Sequence, residues 1–166
     1  MKHVKIKERV GYSNAVKHSG CWLIGVNPWC DLPEAMYVEP GLVSSIHSMI
    51  GHKFNAKGDC GKNLFHAEVQ YDKFVFHDFK NPKTLKMEKK KYRGTFGTRA
   101  KFYNLDDAIA WCEKGMDEKR IEATKAYFFQ MNMCPALIEP EFKNHRLFKH
   151  KKVKLIKRCF DVSCCS

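Results

Sequence analysis

The sequence predicts one α+β domain, in which an antiparallel or mixed sheet carries two to three helices packed mainly on one face. The chain has 166 residues, the usual size of a single domain, and 44% of them are hydrophobic, which is enough to form a core. Stretches that alternate apolar and polar residues, typical of strands, occur beside stretches with helical spacing. No change of composition divides the chain, so we assign residues 1–166 to one domain.

The first third of the chain predicts two strands and one helix. Near the N-terminus Val4, Ile6 and Val10 stand out among lysines, and their spacing is typical of a half-buried strand. A short apolar run over Cys21–Val26 ends at an Asn-Pro pair and predicts a second, more buried strand. The segment Leu42–Ile50 has apolar residues at helical spacing and is followed by glycine, which predicts a short helix.

The centre of the chain predicts a tight hairpin followed by a basic loop. Leu64–Tyr71 and Phe74–Phe79 alternate apolar and polar residues, and only an Asp-Lys pair separates them. Residues 80–91 have no apolar period and many lysines, so we expect a protruding excursion there. Residues 92–103 predict another strand or pair of strands, broken by glycines.

The last third predicts two helices, a strand and a tail. Asn104 is a favourable cap for a helix that would end at Gly115. A second helix begins directly afterwards and ends before Pro135. Lys152–Phe160 alternates valine and leucine with lysine, as a final strand would, and we expect a flexible basic tail that contains cysteines near residues 159–166.

The positive charge is concentrated in two segments. Of a formal net charge of +12, the segment from Lys80 to Lys101 contributes nine Lys or Arg against one acid, and the segment from Lys143 to Arg158 contributes eight with no acid. Such segregation predicts a surface patch that binds nucleic acid or another polyphosphate or nucleotide, with an acidic protein surface as the alternative partner. The candidate binding residues are Lys89, Lys90, Lys91, Arg93, Arg99, Lys149, Lys151, Lys152 and Lys154.

A second hypothesis is that the protein is a small hydrolase or nuclease. If the Asp-Lys pair forms a two-residue turn, Glu68 lies opposite His77 and His66 lies two residues along the same face. A His/Glu/His cluster is able to move protons or hold a divalent metal. The same residues also fit a solvent-facing sheet surface with only a weak ionic contact.

Four other residues have side chains that zinc accepts, namely His47, His52, Cys60 and His66. Their spacing does not match the paired cysteines of common zinc sites, so we assign no cofactor and keep zinc or another divalent metal as an alternative. The first residues lack the apolar run of an export signal, and no stretch has the length and apolarity of a membrane span. We therefore expect a cytoplasmic protein with reduced cysteines.

Overall fold

The computed structural model describes residues 2–52 and 58–133, which form a six-stranded mixed sheet and two helices. The strands lie side by side in the order in which they occur in the chain, and the first pair is parallel while the other four pairs are antiparallel. This confirms the α+β class. The elements are β1 (His3–Lys5), α1 (Tyr12–Lys17), β2 (Trp22–Asn27), β3 (Leu32–Glu39), β4 (Leu42–Ile50), β5 (Asn63–Lys80), β6 (Met87–Phe102) and α2 (Leu105–Met133).

The main core lies between α2 and one face of the sheet. On the sheet side, alternate residues of the strands are buried, among them Trp22, Ile46 and Val69. On the helix side, Cys112 and Met116 are fully buried against them. Because successive side chains of a strand point to opposite faces of the sheet, the residues next to these buried ones lie on the face away from this core.

The short helix α1 packs on that opposite face. Its Ala15 and Val16 are buried with Leu23 and Val38, which directly follow the core residues of β2 and β3. The helices therefore cover both faces of the sheet, and the prediction that they pack mainly on one face holds only for the longer helix α2. The second cluster is completed by aromatic residues near the C-terminal end of α2.

The predicted helix over Leu42–Ile50 is wrong, because this segment is strand β4. Its buried face contains Ser44 and Ser48 beside Leu42 and Ile46. Ser44 lies against Cys112 of α2 and Ser48 donates a hydrogen bond to the Leu32 carbonyl, but both serines interrupt the apolar alternation by which a strand is recognised. The remaining apolar residues then match a helical period by coincidence.

The predicted hairpin turn after Tyr71 is also wrong. Strand β5 is 18 residues long and continues through this point without a break. It pairs along almost its whole length with β6. The chain reverses only after Lys80, where the Asn81 side chain accepts hydrogen bonds from the backbone N–H groups of Lys83 and Thr84. The predicted excursion over residues 80–91 is thus a short turn followed by the first part of β6.

The two predicted C-terminal helices form one continuous helix, α2. Its start is as predicted, because the Asn104 side chain accepts a hydrogen bond of 2.8 Å from the backbone N–H of Asp107. Gly115 does not end the helix but lies inside it. A Cβ atom added at this position would lie 3.5 Å from a methyl group of Val69. Glycine costs about 1 kcal/mol within a helix, which the burial of neighbouring residues offsets. Pro135, the predicted last strand and the tail lie outside the described residues.

Candidate nucleic-acid interface

Strands β5 and β6 extend beyond the rest of the sheet as a two-stranded arm. The register of β4 against β5 ends where Leu42 meets Tyr71, and beyond that point β5 pairs with β6. We call residues 72–95 the arm; at about 3.3 Å per residue, its strands project by about 27 Å. The arm thus carries most of its side chains away from the core, although α2 contacts one of its faces near the base.

The arm is strongly basic. It contains eight Lys or Arg and three acids. One of these acids, Glu88, accepts hydrogen bonds from Asn81 and Thr84 in the turn. Seven of its lysines are exposed and have no acidic partner among the described residues. Lys73 and Lys91 lie over aromatic rings, and the other five contact neither an acid nor a ring in that part of the chain. These are Lys80, Lys83, Lys86, Lys89 and Lys90.

Lys91 and Arg93 differ from these lysines because they contact the body of the protein. The Lys91 ammonium lies 3.6 Å from the centre of the Phe74 ring within the arm and 5.2 Å from the centre of the Phe129 ring of α2. Arg93 forms an ion pair of 3.4 Å with Asp72 and lies over the Tyr127 ring of α2 at 5.6 Å. Of the predicted binding residues on the arm, Lys89 and Lys90 are therefore available to a ligand, whereas Arg93 fastens the arm to α2.

Further along β6, the predicted binding residue Arg99 and the nearby Lys101 both have acidic partners. Arg99 forms an ion pair of 3.3 Å with Glu68, and Lys101 is paired with Asp59. The Lys101 and Tyr103 hydrogen bonds to the Asp59 carboxylate lower the pKa of that carboxyl. Both cations share the face of Lys89, Lys91 and Arg93, since all occupy odd positions of one strand.

Aromatic rings occupy the other face of the arm and its base. His77 and Tyr92 are stacked, with ring centres 4.9 Å apart and planes at 12°. Phe96 stacks on Tyr71 with centres 6.2 Å apart, and Phe79 lies nearer the tip. Sequence analysis missed this face because it assigned the two halves of β5 to different strands. The available signal was that Tyr71, Val75, His77 and Phe79, three rings and one apolar side chain, stand at odd positions of one stretch.

The base of the arm contains two buried carboxylates that join it to the sheet and α2. Glu39 accepts hydrogen bonds from the Arg120 guanidinium at 2.6 Å and from the Tyr37 hydroxyl at 2.5 Å. Asp72 accepts one from the Thr95 hydroxyl at 3.2 Å. Burial raises the pKa of Asp72, although the charge of Arg93 and the hydrogen bond from Thr95 act in the opposite direction.

The predicted catalytic cluster is not assembled. His66 and Glu68 share one face of β5, but His77 lies nine residues further along the same strand, about 30 Å away, and on the opposite face. The reason is the missing turn, because without it Glu68 faces Arg99 and His77 faces Lys90. The Glu68 carboxylate accepts hydrogen bonds from Arg99 and Gln70 instead.

The predicted metal ligands are only partly brought together. His47 and His66 are direct neighbours on β4 and β5, in a shallow depression of about 440 Å³ that Arg99 and Lys101 also line. His52 and Cys60 belong to the connection between these two strands. Across residues 2–52 and 58–133, no three His, Cys, Asp or Glu side chains are grouped as a metal site would require.

The second basic segment, with Lys149, Lys151, Lys152 and Lys154, lies outside the described residues. Neither helix of the described part combines the length and apolar composition needed to cross a membrane. Comparison of the chain with protein-family models gives no match, and comparison with curated proteins gives none at a significant level.

Proposed function

We propose that this protein binds nucleic acid through its two-stranded arm. The observation that carries the proposal is the combination, on one projecting element, of several exposed rings and seven exposed lysines that have no acidic partner among the described residues. Lysines attract a phosphate backbone at any sequence, and rings stack on bases. A two-stranded ribbon is also narrow enough to enter a groove or lie along a strand.

Exposed aromatic residues favour nucleic acid over an acidic protein as the partner. An acidic protein surface is matched by cations alone, whereas the arm adds exposed aromatic residues that carboxylates do not need. Tyr92 on the arm and Phe96 at its base are 36% and 43% exposed, although both have large aromatic side chains. A nucleic acid supplies both phosphates for the lysines and flat bases for the rings.

The hydrolase hypothesis receives no support from the arrangement of its residues. His66 and Glu68 are separated from His77, and the Glu68 carboxylate is neutralised by Arg99. The function is therefore proposed as binding rather than catalysis. The exposed lysines of the arm, rather than Arg93 or Arg99, are the residues to be tested.

The test compares Lys89→Gln/Lys90→Gln with the control Lys114→Gln/Lys125→Gln. Both pairs are exposed and both changes remove two charges, but the control pair lies on α2. Binding of the full chain to labelled 20-nucleotide RNA and DNA is measured by fluorescence anisotropy between 50 and 200 mM salt.

If both arm lysines contact phosphates, the slope of log affinity against log salt becomes shallower by about 1.4 for a single strand. With equal affinity at 1 M salt, this slope corresponds to a loss of about 60-fold at 50 mM and about 10-fold at 200 mM. The control pair should change little. Equal losses in both variants would show a general charge effect, and efficient competition by polyglutamate would favour an acidic protein partner; either result would refute the proposal.

A further inference from the structure

We infer that the arm binds single-stranded nucleic acid, with unpaired bases stacked on a face formed by His77, Phe79, Tyr92 and Phe96. We call this the aromatic face. The inference rests on the nucleic-acid function proposed above and adds the class of ligand. It also assigns a role to rings that a purely electrostatic interaction with phosphates would leave unused.

The aromatic face offers three ring surfaces in a row. Phe96 lies at the base of the arm, the stacked His77–Tyr92 pair lies in its middle, and Phe79 lies near the tip. From the level of Phe96 to Phe79 the row extends over about 27 Å, since eight residues of β5 separate Tyr71, the partner of Phe96, from Phe79. A row of this length is able to meet several successive bases, and each base has a flat face that stacks on a ring.

Lysine side chains lie close to these rings. The Lys73 ammonium lies 5.9 Å from the centre of the Phe96 ring, and Lys90 is the direct cross-strand neighbour of His77. A base that stacks on either ring would thus have its phosphate within reach of a lysine. Alternation of stacking surfaces and positive charge is how proteins bind single strands without sequence preference.

The opposite face of the arm is partly occupied by the protein itself. Phe74 meets Phe129 of α2 edge to face at 5.6 Å, and Arg93 lies over Tyr127. The rings of the aromatic face instead remain open, with Phe79 38% and Phe96 43% exposed. The opposite face also exposes one ring, Phe76 at 60%, but the row of several rings lies on the aromatic face.

A duplex fits this face poorly because its bases are already stacked on one another and present only their edges. Electrostatics alone favours the duplex, which carries one charge per about 1.7 Å of its axis, twice that of either strand. A preference for single strands would thus have to come from the rings and not from the lysines. This opposition between the two contributions makes the ligand class testable.

The experiment measures binding of the full chain to four probes of 20 nucleotides at 150 mM salt. The probes are single-stranded DNA of mixed sequence, single-stranded RNA of the same sequence, the corresponding DNA duplex, and a strand of the same length in which every base is absent. The variants are Tyr92→Leu, which removes the ring but keeps an apolar side chain, and Tyr92→Phe, which keeps the ring.

Trp29→Leu is the control, because Trp29 is an 85% exposed ring in the turn between β2 and β3, away from the arm. We expect the single strands to bind more tightly than the duplex and the strand without bases. Tyr92→Leu should weaken single-strand binding by about 5- to 150-fold, with little effect on the strand without bases. Tyr92→Phe and Trp29→Leu should bind like the original protein, and all variants should unfold at the same urea concentration.

Equal binding of single strands, duplex and the strand without bases, unchanged by Tyr92→Leu, would overturn this inference and leave the nucleic-acid function intact. Tighter binding of the duplex would do the same. If no probe binds while vesicles with anionic lipid do, the nucleic-acid function itself fails and this inference fails with it.

Discussion

Replacement of Arg93 by methionine should destabilise the protein far more than it weakens ligand binding. The Arg93 guanidinium is the cation that faces the Asp72 carboxylate, and their side chains are only 27% and 10% exposed. Methionine is long enough to keep the contact with Tyr127 but leaves Asp72 without its opposite charge. Removing one partner of a buried ion pair typically costs about 3–5 kcal/mol.

Protonation sets an upper limit to this cost. An aspartate with an unfolded-state pKa near 3.9 takes up a proton at pH 7 for about 4 kcal/mol, and at pH 5 for about 1.5 kcal/mol. Thr95 continues to donate a hydrogen bond to Asp72, which reduces the cost further. We therefore expect Arg93→Met to lower the free energy of unfolding by about 2–4 kcal/mol at pH 7 and by no more than about 1.5 kcal/mol at pH 5.

The sign of this pH dependence follows from the pKa of Asp72, which burial already raises and which loss of Arg93 raises further. A carboxyl group with a raised pKa in the folded state destabilises the fold increasingly as the pH rises above its unfolded-state pKa. Urea unfolding at pH 5 and pH 7 measures both values. Asp72→Asn in the Arg93→Met background should restore most of the loss at pH 7, and an equal loss at both pH values without such rescue would refute the reasoning.

Three further predictions concern other buried contacts. Arg120→Met should lower the free energy of unfolding by about 3–5 kcal/mol in urea titrations, because it leaves the buried Glu39 carboxylate with only one hydrogen bond; an unchanged midpoint would contradict this. In the folded protein, maleimide should label the exposed Cys60 while Cys112 reacts only after unfolding, because burial raises the pKa of the Cys112 thiol to about 12; similar rates by mass spectrometry would disprove it. Gly41→Ala should destabilise by about 2 kcal/mol or more, since Gly41 has φ of +86° and an added Cβ would lie 2.4 Å from a carbonyl oxygen of α2; a urea midpoint equal to that of the unchanged protein would count against it.

The sequence was sufficient to predict the elements in which local signals agree. β2 is a short apolar run ended by an Asn-Pro pair, and α2 begins at a residue whose side chain caps its first turn. The sequence was not sufficient where the structural role of a residue depends on its tertiary contacts. Gly115 resembles a helix end, yet it lies within α2 against β5. Ser44 resembles a surface residue, yet it is fully buried in β4.

The candidate site shows the same division. The basic character of the segment around Lys89 and Lys90 is a matter of composition, and it was predicted. The aromatic face depends on register, because Tyr92 meets His77 only if β5 continues past Asp72 without a turn. One wrong turn therefore produced a false pairing of Glu68 with His77 and concealed the stacked pair.

The lysines of the arm have a second explanation, which the rings help to exclude. Within residues 2–52 and 58–133, β6 is an edge strand of the sheet, and proteins often place lysines on such edges to prevent pairing with other chains. Protection of an edge accounts for charge, but it gives no reason to expose Phe76 at 60% or Phe96 at 43% on the same hairpin, since exposed rings promote the association that lysines suppress. A surface with both features is better explained by a ligand that needs both. For this reason the lysine and ring variants have to be measured together: edge protection predicts that losing lysines causes aggregation, whereas ligand binding predicts that losing either feature reduces affinity for the same strand.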